Sequence, residues 1–195
     1  MNVFDFDNTI YRGESAVDLA IFMIKSNKKV ILWMPKIFWS LFRYKLCLVS
    51  RDKMQDSVNA FMSNILRDKN EVRRLTRDFW KKNIHKLDRS ITKRIGKDDV
   101  IITAGPDFLL DDVKKYLGTE NIICSQTDLD RKCVVYLNFG ENKLKKFKER
   151  YGDKSIDSFY TDSFNDKALM SISQKVFIVK KRKNKAYKAG KSLKF

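Results

Sequence analysis

Two hydrophobic periods alternate along this chain, and the switches between them mark its elements. Short runs rich in β-branched and aromatic residues predict strands near Asn2–Phe6, Val100–Thr103, Asn121–Cys124, Ile156–Thr161 and Lys175–Val179. Cys133 to Leu137, read with Ile122 to Thr127, predicts a small hairpin beside them. The helical period takes over in between. Val17, Leu19, Ala20, Ile21, Met23 and Ile24 fit a helix packed on more than one side, and Phe108, Leu109, Leu110, Val113 and Leu117 fit another. In a third, Leu144, Phe147 and Tyr151 share a face while Lys145, Lys146 and Lys148 lie largely elsewhere. The stretch from Val30 to Val49, with Trp33, Phe38, Trp39, Phe42 and Tyr44, is apolar enough to suggest a membrane span. Pro35, Lys36, Arg43 and Lys45 interrupt it at intervals that a bilayer interior rarely tolerates, so packed helices are expected there instead. Strands separated by helical stretches predict an α/β fold, a mostly parallel sheet flanked by helices, with its site at the carboxyl ends of the strands.

Chemistry gathers at those ends. Asp5 and Asp7, in Val3-Phe4-Asp5-Phe6-Asp7-Asn8-Thr9, stand where a buried strand gives way to a loop. Two acids one residue apart there are poor core material and good ligands for a hard cation. Taken alone, the pair also reads as a turn or a helix cap. Thr103 ends the next strand and is followed by Ala104-Gly105-Pro106, where a hydroxyl and free N–H groups at a helix start can hold phosphate oxygens. An ordinary strand-to-helix turn fits that segment equally well. Lys143 falls in the first turn of a helix opened by Phe139-Gly140-Glu141-Asn142, where a cation is disfavoured unless an anion compensates it. Among so many lysines, any one also reads as solvated surface. Asp162-Ser163-Phe164-Asn165-Asp166 follows the strand Ile156–Thr161 and again sets carboxylates just past a strand end, though it also reads as a loop.

In this order the four segments resemble the signature motifs of the haloacid dehalogenase-like phosphohydrolases, over Asn2 to about Val179. The likeness looks strongest to the phosphoserine-phosphatase-like branch, which inserts a helical cap between its first and second motifs. It implies a Rossmann-like, three-layer sandwich core formed by residues 1–11 and 99–195, with a cap at 12–98. It also implies a Mg²⁺-dependent phosphatase. Asp5 would attack the phosphorus of a phosphate monoester and form an aspartyl-phosphate, while Asp7 would act as general acid and then base. Mg²⁺ would be held by Asp5, the Asp7 main-chain carbonyl and Asp162. Thr103, the backbone at Ala104 and Gly105, and Lys143 would bind the phosphoryl oxygens. Asp166 would orient Lys143 or a metal-bound water, and Asn165 would support the loop. Asn8 departs from the pattern, since the branch usually has Gly or Ser there. Glu14 lies where phosphoserine phosphatases carry an acid that meets the substrate's amino group, and it reads equally as a helix-start acid. No match to that enzyme's substrate arginine is evident.

Composition narrows the picture further. At 195 residues and 43% hydrophobic the chain is long enough to bury a real core, and 7 Gly with 2 Pro argue against disorder or repeats. Cys47, Cys124 and Cys133 form no CxxC pair, and their odd number speaks against a disulfide framework. His85 stands alone, so histidine-based metal or triad chemistry is not expected. The first motif begins at once, which leaves no room for a cleavable leader and favours the cytoplasm.

Charge sets the partners. Forty-one Lys+Arg against 24 Asp+Glu give +17, an excess that attracts anions of any kind. Much of it lies in a basic tail at about 180–195, expected to be solvated and partly frayed. The expected partner is a phosphorylated small molecule or a lipid head group, and nucleic acid is not expected. Two alternatives stand beside the soluble phosphatase. One is a lipid-phosphate phosphatase in peripheral contact with the inner face of a membrane, because phosphatidylglycerophosphate phosphatases of the same branch show a comparable apolar cap segment. The other is a non-catalytic basic adaptor.

Overall fold

Asn2–Asp5 forms β1, whose residues alternate between the two faces of a sheet and are buried on both. In the computed structural model, which describes all residues except 26, 46–50, 67, 183–184 and 194–195, β1 is the central strand of seven. The others are β2 (Val100–Pro106), β3 (Ile122–Asp128), β4 (Cys133–Tyr136), β5 (Ile156–Thr161), β6 (Ser173–Arg182) and β7 (Lys185–Leu193). They lie in the order β4-β3-β2-β1-β5-β6-β7. The five inner strands are parallel, and β4 and β7 close the two edges antiparallel.

The period-2 alternation builds two cores. Val3, Val100, Ile102, Phe159 and Val176 face one way and pack on Phe147, Leu169 and Met170 of α7 (Glu141–Tyr151) and α8 (Lys167–Met170). Phe4 and Ile101 face the other way, onto α1 (Ser15–Ile24), α4 (Lys69–Asn83) and α6 (Asp107–Leu110) through Leu19, Met23, Phe79, Trp80 and Leu109. This is the expected α/β three-layer arrangement. Cross-strand stacking fixes the register: Phe4 stacks on Tyr160 at 4.6 Å, and Tyr160 on Phe177 at 4.8 Å, across β1, β5 and β6.

Helices fill the interval between β1 and β2: α1, α2 (Lys29–Lys45), α3 (Arg51–Ile65), α4 and α5 (Arg89–Thr92). The chain leaves and returns through one crossing, where Arg12 N donates to the Lys86 carbonyl at 2.9 Å and Asp88 N to the Ile10 carbonyl at 2.8 Å. At its far side α3 is tied to the β3–β4 hairpin, since Gln55 Nε2 donates to the Val134 carbonyl and Val134 N to Asn59 Oδ1, both at 2.8 Å.

Three expectations need correction. The helix after β2 is shorter than the apolar spacing suggests: α6 stops at Leu110 and a separate 3-10 turn covers Lys114–Tyr116. The burial that the spacing encodes is nevertheless met, because Leu109, Leu110, Val113 and Leu117 are all fully buried. The basic tail is also not a frayed end throughout. Lys185–Leu193 pairs with β6 as an edge strand, a position where lysines are common because they discourage further pairing. Finally, the β2 and β3 strands run past their expected ends, to Pro106 and Asp128. Cys124 and Cys133 are free and half-buried, and burial pushes the Cys124 thiol up to about 12. Cys47 lies outside the described residues. His85 is exposed in a short turn, Ile84–Lys86.

Candidate active site

β1 ends in a tight loop that turns the chain back on itself. The Phe6 carbonyl accepts from Ile10 N and Tyr11 N, both at 2.8 Å, and Asn8 N donates to the Gly13 carbonyl at 3.0 Å. Asn8 takes a left-handed conformation, φ 56°, which Asn tolerates better than most residues. Its amide also has a task, donating to Glu14 Oε1 at 2.8 Å. The departure from Gly or Ser at this position therefore leaves the turn intact and adds a hold on Glu14. Glu14 occupies the N-cap position of α1 but makes no capping bond with its side chain.

Parity on the strand decides who meets whom. Asp5 shares the face of Val3, the side covered by α7, and there Lys143 reaches it. The Lys143 ammonium lies 3.0 Å from Asp5 Oδ1 and 2.9 Å from Asp166 Oδ2. All three are buried, with 8%, 5% and 5% exposure for Asp5, Lys143 and Asp166. The anions that the first-turn lysine required are thus present as two carboxylates. Burial alone would discharge the ammonium, but Asp5 and Asp166 outweigh it and hold the pKa above its ordinary value.

Asp7 is oriented from α1, whose first N–H, that of Ser15, donates to Asp7 Oδ1 at 2.7 Å. Asp162, just past β5, is half-buried and raised by burial and by the nearby charge of Glu14. Asp5 and Asp7 are each pushed up to about 7, by burial first; the charges of Asp166 and Asp7 add to it at Asp5, and that of Glu14 at Asp7. Five carboxylates, Asp5, Asp7, Glu14, Asp162 and Asp166, thus influence one another around one ammonium, Lys143.

That charge surplus is the test of whether a hard divalent cation fits. The donors are all oxygen, and the strain on their ionised forms is what a cation would relieve. Among the described residues no three acidic, histidine or cysteine side chains form a ready-made cage. Mg²⁺ does not need one, since it is usually bound by one or two carboxylates, waters and the substrate's own phosphate. The residues present fit such an ion.

The second motif departs from the expected turn. Thr103 is fully buried at the carboxyl half of β2, and its Oγ1 accepts from Gly105 N at 3.0 Å, so this amide is engaged rather than free. A Cβ on Gly105 would stand 3.3 Å from Thr103 Oγ1 and 4.0 Å from Ser15 Oγ, which shows how closely these groups crowd one spot. The Ala104 carbonyl accepts from Ser125 Oγ at 2.8 Å. With only four residues, α6 offers little helix dipole to an anion. In the fourth motif, Asn165 is exposed and its N–H donates to Ser163 Oγ at 3.3 Å, so it shapes the loop without entering the acid cluster. Asp166 Oδ2 accepts from the Lys143 ammonium at 2.9 Å.

Two contributors escaped the sequence reading. Ser15 is fully buried, its N–H on Asp7 and its Oγ close to Gly105. Asn138 is fully buried too, its amide donating to the Thr103 carbonyl at 2.8 Å and the Ile123 carbonyl at 3.1 Å, which locks the end of β2 to β3. A lone amide in Tyr136-Leu137-Asn138-Phe139 was the available signal. A cavity of about 780 Å³ lies off this cluster, lined by Arg73 and Arg77 of α4, Asp107, Asp112 and Thr127 among others, and none of the acids above borders it.

Comparison with known proteins agrees with the geometry. No curated protein matches the chain. Among solved structures, a protein of unknown function from Bordetella pertussis Tohama I superposes with a TM-score of 0.71 at 16% identity, covering 88% of this chain and 85% of that one. A phosphoserine phosphohydrolase-like protein from Francisella tularensis subsp. tularensis SCHU S4 gives 0.63 at 20%, covering 90% and 86%. A phosphoserine phosphatase captured as a phospho-aspartyl intermediate analogue gives 0.51 at 14%, covering 89% and 83%. These likenesses establish the fold, that of the phosphoserine-phosphatase-like proteins. A family profile, haloacid dehalogenase-like hydrolase, matches residues 3–171, a span that contains Asp5, Asp7, Glu14, Thr103, Lys143, Asp162 and Asp166. With Asp5 and Asp162 at the ends of adjacent parallel strands and Lys143 reaching Asp5 from α7, the chain belongs to the haloacid dehalogenase-like hydrolase family.

Proposed function

We propose that this hydrolase cleaves phosphate monoesters, with Asp5 as nucleophile and Asp7 as general acid and base. The observation that carries the reading is the buried Asp5–Lys143–Asp166 chain, with ammonium-to-carboxylate distances of 3.0 and 2.9 Å, at the carboxyl end of the central strand. Lys143 bonds one Asp5 oxygen, Oδ1, which also accepts from Phe6 N at 2.9 Å. That leaves Oδ2 to face the phosphorus. Attack forms the Oδ2–P bond as the ester P–O bond breaks, and Asp7, raised to about 7, gives its proton to the leaving alcohol. The same carboxylate then takes a proton from the water that attacks the acyl phosphate and frees Asp5. Lys143 and the Thr103 hydroxyl stabilise the charge on the transferring oxygens.

A Mg²⁺ ion, held by Asp5, the Asp7 carbonyl and Asp162, would neutralise the repulsion between carboxylate and phosphate dianion when bound. The insertion from α1 to α5 acts as the cap, and Glu14, held by Asn8 at its entrance, selects among substrates. A related fold was captured as a phospho-aspartyl analogue, which supports the covalent route. Hydrolysis of p-nitrophenyl phosphate with Mg²⁺ tests the reading. Asp5→Asn should lower kcat by at least about a thousandfold with an unchanged far-UV spectrum; turnover at the wild-type rate in that variant overturns it.

A further inference from the structure

The outward face of α2 is apolar and cationic, and the fold does not need it to be. A helix lining a soluble core shows one apolar stripe and one polar face. The inner stripe of α2 is accounted for by fully buried Val30 and by Trp33, Met34 and Ile37, which are partly covered. The opposite side, at helical spacing, carries Leu32, Pro35, Lys36, Trp39 and Arg43, all exposed. Leu32 is 79% and Trp39 61% exposed, with Ile31 at 51% and Ile21 of the adjoining α1 at 52%. The outer side of this helix is therefore apolar and cationic, and its large side chains stand mostly in solvent.

Charge names the partner. From Leu19 to Arg51 the sequence contains no Asp or Glu, and every charged residue is Lys or Arg. Lys25, Lys28 and Lys29 are exposed at the α1–α2 corner, and the Lys36 ammonium lies 4.7 Å over the Trp33 ring. Among the described residues no helix is long and apolar enough to cross a membrane. An exposed helix with large apolar side chains, an interfacial Trp and a rim of cations matches the layer where head groups meet acyl chains. A second copy of the same face would set like charges against each other, which disfavours self-association.

We propose that the outer face of α2, with the α1–α2 corner, docks this protein on an anionic phospholipid surface. Leu32, Trp39 and Ile31 enter the head-group boundary, and Lys28, Lys29 and Lys36 meet the lipid phosphates. This goes beyond the hydrolase reading and does not depend on it, because binding is read without turnover.

Co-sedimentation of the full chain with phosphatidylcholine vesicles, with and without phosphatidylglycerol, tests it. Binding should require the anionic lipid and weaken on the order of tenfold as salt rises from about 0.1 to 0.5 M. The double variant Leu32→Ser/Trp39→Ser and the triple variant Lys28→Gln/Lys29→Gln/Lys36→Gln should each lose on the order of tenfold in vesicle affinity. Both should retain the circular dichroism spectrum and the hydrolysis of a soluble phosphomonoester. Absence of co-sedimentation at low salt, or full binding by both variants, overturns the proposal. So does a dimer that Leu32→Ser/Trp39→Ser dissolves while vesicles bind neither form.

Discussion

At the scale of single residues, chemistry follows from which acids are paired and which are not. Asp5 is tied to Lys143, and Asp7 accepts from the Ser15 N–H, yet each is held near neutrality by burial first. For Asp7 that value suits the proposed role of giving and then taking a proton. Glu14 contributes to it, since its charge raises Asp7. Glu14→Gln should therefore lower the Asp7 pKa, and the alkaline limb of the kcat/KM profile should move to lower pH. An unmoved or upward-shifted limb would show that the charge of Glu14 does not reach Asp7. Asp5, Asp7 and Asp162 were legible because they stand at the ends of apolar runs, and Lys143 because it is a cation in a helix's first turn, places that local propensity does not explain. Ser15 and Asn138 were not, because a helix-start serine and a loop asparagine are common for local reasons. Only the fold shows that one orients Asp7 and the other clamps β2 to β3.

At the scale of elements, hydrophobic spacing decides which of them the chain reveals. The five parallel strands were readable because their β-branched runs are short and bounded, and β5 falls on Ile156–Thr161 as the pattern has it. The helix after β2 was misread, because apolar residues at Leu109, Leu110, Val113 and Leu117 satisfy burial equally well as a short helix followed by a 3-10 turn. The basic tail was misread for another reason: charge says nothing of backbone pairing, and an edge strand accepts lysine. Register itself rests on the ladder Phe4–Tyr160–Phe177. Tyr160→Ala removes the middle rung and should cost about 3 kcal/mol in urea unfolding, with kcat unchanged. A loss below about 1 kcal/mol would mean that the parallel hydrogen bonds alone set the register.

The whole molecule has an electrostatic signature that opposes its composition. A chain of net charge +17 concentrates acids at the carboxyl ends of its central strands, where Lys143 answers them from within. Folded Asp5 and Asp7 titrate at about 7, against an ordinary 3.8, so between those values the folded chain binds more protons than the unfolded one. Stability without metal must then fall as pH rises through that window, while Lys143 stays charged throughout and adds no slope. Thermal melts in EDTA should give a midpoint several degrees lower at about pH 7.5 than at about pH 5, and millimolar Mg²⁺ should restore it. A midpoint that climbs over that interval in EDTA contradicts the account.

The central claim is that a carboxylate at the end of β1 becomes covalently phosphorylated. Acid-quenching the protein during turnover of a phosphomonoester with Mg²⁺, followed by peptide mass spectrometry, reads it directly. The account predicts phosphate on the N-terminal peptide at Asp5, absent in Asp5→Asn. Steady turnover with that peptide unmodified, or phosphate trapped on a different residue, would contradict it.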